Sequence, residues 1–157
     1  MSKKLQIIFN FLIFFLVSIS ISKAELLKPR SDIKPSDVVR IQLLGLQKND
    51  FNYKDSGIEQ TWNFAHPNNK KVTGPLDNFK RMIKGDAYQM MINHLSHTIT
   101  QLGTGDNWAQ FEVIILDKEK IYHKFNWQVE KYSTDGPLKN CWLTTMVSNP
   151  IALGSSI

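Results

Sequence analysis

Four histidines, one cysteine and two loop aspartates carry most of the chemical capacity of this 157-residue chain. His123 lies in an alternating run with Phe125 and Trp127 on its own face. There it reads as a hydrogen-bonded core or pocket-lining histidine, with general acid–base work as the alternative use. His66 closes Trp62-Asn63-Phe64-Ala65 and precedes Pro67. His94 and His97 are spaced to converge on a metal only if helical. The pattern there turns to strand, where they would point to opposite faces, so no metal site is expected. Cys141 precedes Trp142 and Leu143 and reads as an inert buried side chain. A single cysteine also excludes an internal disulfide and every C-x-x-C zinc spacing. Asp50 and Asp55 flank a loop between two helical patterns. Paired carboxylates do acid–base work when their pKa values are driven apart, but in this loop both are expected to be solvated. Trp62, Tyr88 and Trp127 combine an apolar body with a polar tip. The residues assigned to a ligand pocket are therefore Trp62, His66, Tyr88, His123 and Trp127. No catalytic residue is assigned, and neither metal nor cofactor is expected. No phosphate loop, dinucleotide fingerprint, nucleophile elbow or zinc helix occurs in the chain.

The elements that must position these residues change period midway. After an extended linker, residues 25–35, Ser36 is a plausible N-cap. Val38, Val39, Ile41, Leu43, Leu44 and Leu46 then form an apolar helical stripe. Ser56-x-x-Glu59 fits a capping box for a second helix, which Pro67 stops. Residues 68–75, including Lys70-Lys71, read as a solvated loop. A third helix starts near Pro75 and carries Leu76, Phe79, Met82 and Ile83, with a last helical or irregular piece over 88–92. From Leu95 the period becomes two. Strands are expected over 108–116, 121–132 and 141–148, with turns at 103–107, 117–120 and 135–137. Helices first and an antiparallel meander after them define an α+β fold. The N-terminal helices would pack on a bent sheet of about four strands, forming a cone with an apolar pocket at its open end. The domain is expected over residues 36–148, with 149–157 as a C-terminal tail.

Residues 1–24 have the three-part form of a signal peptide. Lys3 and Lys4 precede a mostly apolar stretch from Ile7 to Ile21, and Ser22-Lys23-Ala24 offers a cleavage site before Glu25. That stretch is shorter than the roughly 20 residues of a spanning helix. The reading is an exported protein, in the periplasm or another extracytoplasmic space, with no stable membrane anchor after cleavage. Charge then argues against nucleic acid. The formal net charge is +5, but Lys3, Lys4 and Lys23 leave with the leader. Sixteen basic side chains of the nineteen remain against fourteen acidic ones, a net of +2.

Trp62-Asn63-Phe64-Ala65-His66-Pro67, then Thr73-Gly74-Pro75-Leu76, Phe79, Met82 and Tyr88, with Cys141-Trp142-Leu143-Thr144-Thr145 closing, carry a likeness. In their order and spacing they resemble the uncharacterised bacterial and plant family called domain of unknown function 4864, over about residues 36–148. The resemblance implies a nuclear-transport-factor-like cone fold and no established activity, so no catalytic residue is carried over. Ser is usual in that pattern where this chain has His66.

The function expected from these observations is a non-catalytic exported module. It would bind a small apolar ligand in the cone, or form a homodimer through the sheet face. The alternatives are a small isomerase- or hydrolase-type enzyme using a pocket histidine, and an accessory subunit of an envelope complex.

Overall fold

Proline fixes where the first helix starts. In the computed structural model, which describes residues 25–155, α1 runs Pro35–Gln47. The signal-peptide reading, residues 1–24, lies outside the described residues. Pro35 occupies the first helical turn, where its missing N–H costs nothing. Ser36 therefore lies inside the helix and does not cap it. Val38, Val39, Gln42, Leu43 and Leu46 turn inward, a stripe of helical period. Gln42 takes an inward place, while Ile41 is only half-buried and Leu44 stays 45% exposed.

Helix α2 spans Ser56–Asn63, and its start differs from the expected capping box. Asn49, just after α1, does the capping instead. Its carbonyl accepts from Gly57 N at 2.8 Å and its side-chain Oδ1 from Ile58 N at 3.1 Å. Ser56 Oγ donates to the same carbonyl at 2.9 Å. Glu59 is engaged by the Tyr53 hydroxyl, so neither member of the box performs its expected role. Asp55, expected in solvent, is buried in a left-handed conformation (φ 65°) and binds Lys84 Nζ at 2.7 Å.

Helix α2 closes at Asn63 with Phe64 as its C-cap, ahead of the expected stop at Pro67, because Ala65 and His66 leave the helix to pair with Thr144. Pro67 instead opens α3, Pro67–Thr73, where a loop was expected. His66 is its N-cap, with Nδ1 accepting from Asn68 N at 3.1 Å. Helix α4, Leu76–Ile83, follows a cis Gly74–Pro75 bond. A 3₁₀ turn, Gln89–Met91, leads into the sheet.

Five strands form one antiparallel sheet: β1 Ser96–Thr104, β2 Trp108–Leu116, β3 Ile121–Lys131, β4 Trp142–Val147 and β5 Ile151–Ser155. The order is β1-β2-β3-β4, and β5 pairs with β3 beyond the end of β4. Ala109, Phe111, Val113 and Ile115 lie opposite Val129, Trp127, Phe125 and His123. This buried face meets Val38, Val39, Leu43 and Leu46 of α1 with Phe79 and Ile83 of α4 in one core. Each such side chain contributes about 1.5–3 kcal/mol on burial, so the fold does not depend on a cross-link, and Cys141 is free and buried. Register shifts at Gln101/Gly103, Tyr122/His123 and Gln128/Val129 bend the strands. The fifth strand lies in the stretch expected as a tail. All five of its residues are exposed, so it has no alternation of buried and exposed positions to betray it.

Candidate functional site

Helices and sheet do not close completely on one another. A cavity of about 200 Å³ remains between α1–α4, the 3₁₀ turn and strands β3 and β4. Its floor is buried: Gln42, Leu46, Thr61, Ala65, Phe79, Ile83, Met91, Trp127 and Thr144. Its mouth is formed by the half-buried Asn69, Thr73, Met82, Tyr88, Thr145 and Val147 with the exposed Met146. None of these sixteen side chains carries a formal charge at neutral pH. Tyr88 is the only group among them that titrates in the ordinary range, and burial pushes its phenol up.

The polar groups of the floor are tied to one another. Trp127 Nε1 donates to Thr144 Oγ1 at 3.2 Å, and Thr144 Oγ1 donates to Gln42 Oε1 at 2.6 Å. Gln42 Nε2 donates to Thr61 O at 3.0 Å, and Thr61 Oγ1 to Gly57 O at 2.9 Å. The chain joins β3, β4, α1 and α2 across the bottom of the cavity. With most of its donors and acceptors paired internally, the floor presents mainly apolar surface.

Of the five residues assigned to a pocket from sequence, Tyr88 and Trp127 line this cavity; Trp62, His66 and His123 do not. Trp62 packs on Phe79 with ring centroids 5.0 Å apart and lies under Lys70 Nζ. His66 caps α3 and sets its ring edge-on to Tyr132 at 5.4 Å. The cavity's other residues left a weaker trace. Gln42 was readable as a polar residue at a position with the stripe's own spacing. Met82 was on the expected apolar face of its helix, and Met146 carries no signal that separates it from any strand methionine.

His123 stands elsewhere, at the β2–β3 hairpin. Its Nε2 donates to Asp117 Oδ2 at 2.8 Å. Asp117 Oδ1 accepts from the backbone N–H groups of Glu119 and Ile121, both at 2.9 Å. Burial acts to raise the Asp117 pKa, but those N–H groups and His123 outweigh it and hold the carboxyl below its usual range. The pair is therefore built as a turn clamp. Asp117→Ala is expected to cost about 2–3 kcal/mol by stranding three donors, read by urea denaturation, and to leave ligand uptake in the cavity unchanged. Equal loss of both properties would contradict the clamp.

His94 and His97 do meet, contrary to the expectation that they diverge. His94 precedes β1, in the turn following the left-handed Asn93 (φ 57°), so strand alternation does not govern it. Its Nδ1 lies 2.7 Å from Met91 O and its Nε2 2.7 Å from His97 Nδ1. A carbonyl only accepts, so Nδ1 of His94 carries the hydrogen. In the neutral pair His97 Nδ1 must then donate to His94 Nε2. Among the described residues, no cluster of three or more His, Cys, Asp or Glu side chains could hold a metal ion. Burial lowers the pKa of His94 from 6.5 to about 4, and that of His97 also falls. The unfolded chain thus binds more protons than the native one between those values, and stability falls as pH drops from about 6.5 to 4. The loss from His94 is expected to reach roughly 3 kcal/mol. Urea midpoints measured across that window test it, and a flat profile that His94→Gln does not alter would contradict it.

The fold and cavity define a small α+β protein with an uncharged internal pocket. Comparison with family models, with curated proteins and with solved structures finds no match to this chain.

Proposed function

We propose that the protein is an exported module that binds one small, mainly apolar molecule in this cavity without transforming it. The cavity itself carries the reading: about 200 Å³ of space between helices and sheet, walled by sixteen uncharged side chains. Interiors of folded proteins leave few voids larger than a water molecule, so space on this scale calls for a use. Uncharged walls favour retention over acid–base chemistry, since the histidine–carboxylate pair lies at the hairpin and not on the cavity wall. The sheet's outward face mixes Glu112, Lys124, Asn126 and Gln128 with Trp108, Ile114, Leu116 and Tyr122, a composition ordinary for a protein surface, so the cavity is the better supported of the two sites. Kinship with the resembling family belongs to the same proposal. His66 supports it, because as N-cap before Pro67 it does what a serine can do equally well.

Native mass spectrometry of the protein, purified gently from its exporting host, tests the reading. Extra mass that is released on denaturation is expected. A clean apo mass, with no uptake of small aromatics added at millimolar concentration, would overturn it.

A further inference from the structure

The way the cavity spends its hydrogen bonds narrows what it accepts. At the mouth, Tyr88 Oη donates to Val147 O at 3.3 Å and Thr73 Oγ1 to Asn69 O at 2.8 Å. Asn69 Nδ2 donates to Thr144 O at 3.2 Å. Thr145 Oγ1 lies 3.4 Å from Gln128 O and 3.3 Å from Glu130 Oε1. Each of these side chains points a hydrogen at an acceptor of the protein itself. What remains is mostly lone pairs: those of Tyr88 Oη, Thr73 Oγ1 and Asn69 Oδ1, against a single spare N–H of Asn69. The floor adds one spare N–H, the second hydrogen of Gln42 Nε2; otherwise the chain from Trp127 through Thr144 and Gln42 to Thr61 is internally paired.

Size and wall chemistry set the body of the ligand. An apolar protein cavity of about 150 Å³ takes up benzene, so 200 Å³ with an open mouth suits one ring or a fused pair. Three of the lining residues are methionines, Met82, Met91 and Met146, whose sulfurs make favourable contacts with aromatic rings. An ionic ligand would lose its hydration with no opposite charge on the walls to replace it.

We propose that the cavity takes a neutral aromatic molecule carrying one O–H or N–H donor, a phenol or an indole in kind. The ring sits over the apolar floor, and the donor rests at the mouth on Tyr88 Oη and Asn69 Oδ1. This rests on the binding function proposed above.

Three probes separate the claims: p-cresol, p-xylene and p-toluate, titrated into the protein with NMR shifts of the pocket residues as readout. The xylene replaces the cresol hydroxyl with a methyl of similar size and leaves water more readily, so without donor recognition it binds tighter. The expected result is the reverse, with p-cresol bound up to about tenfold tighter, one net hydrogen bond in affinity. In Tyr88→Phe or Asn69→Leu that advantage shrinks. Equal or tighter binding of p-xylene overturns the donor preference and leaves the binding function standing. Tighter binding of p-toluate overturns the requirement for a neutral ligand. An advantage for p-cresol that survives in both variants overturns the placement of the donor. If none of the three probes shifts the pocket signals, the binding function fails and this inference fails with it.

Discussion

Gly57→Ala is expected to leave little folded protein. A Cβ at Gly57 would lie 1.9 Å from Gly45 O, 2.5 Å from Gly45 C and 2.8 Å from Asn49 Cα. All three atoms are backbone, so no rotamer change relieves the collision. The helices α1 and α2 would have to part, and the bonds that define their crossing would part with them. These are Gly57 N to Asn49 O, Ile58 N to Asn49 Oδ1, and Gln42 Nε2 to Thr61 O. The expected loss is about 4 kcal/mol or more, a large share of the roughly 5–15 kcal/mol that holds a small domain together. Gly45→Ala is the control, since its nearest contacts are 3.2 and 3.3 Å, two of them to the Gln60 side chain. It should cost on the order of 1 kcal/mol. Denaturant midpoints and far-UV circular dichroism compare the two, and equal behaviour would contradict the close crossing.

Trp127→Ala has the second largest expected effect, and it bears on the site. The indole is 1% exposed, forms part of the cavity floor and donates to Thr144. Truncation removes the ring's packing and leaves a void continuous with the existing cavity, at about 3–5 kcal/mol. Trp127→Phe keeps most of the bulk and loses chiefly the bond to Thr144, so about 1–2 kcal/mol is expected. The enlarged cavity supplies a further readout. Millimolar indole should raise the denaturation midpoint of Trp127→Ala more than that of the wild type, because binding to the native state alone stabilises it by mass action. No differential effect would mean that the space created is not accessible to ligand.

The sequence made the large apolar elements legible and hid the polar local ones. The run from Ile121 to Val129 announced its strand because one face is buried and the other is not. The apolar stripe of α1 is equally plain, although hydropathy alone favours Ile41 and Leu44 over Gln42 for the inward place that Gln42 takes. Helix α3 leaves no mark in the sequence, because none of its seven residues is buried and no apolar stripe forms; a proline such as Pro67 signals a helix end as readily as a helix start. The start of α2 is hidden because its cap comes from Asn49 across a turn, a partner that local spacing does not reveal. His94 lies before β1 and His97 within it, so strand alternation does not relate the two side chains. In the sequence Asp117 marks only a turn, because its clamp on His123 depends on the hairpin closing. For the pocket, the choice of aromatic residues with polar tips covers Tyr88 and Trp127, which line the cavity, and Trp62, which packs on Phe79 outside it. The histidines pointed away from it, because capping and clamping use the same imidazole chemistry that a site would.

The measurement that tests the central claim most directly is a benzene titration followed through the methionine methyl groups by carbon–proton NMR. Met82, Met91 and Met146 line the cavity, whereas Met90 packs against the core outside it. Occupation of the cavity predicts saturable shifts at the three lining methyls, with Met90 little moved. Shifts absent from all of them, or spread without saturation over Met90 as well, would contradict a binding cavity.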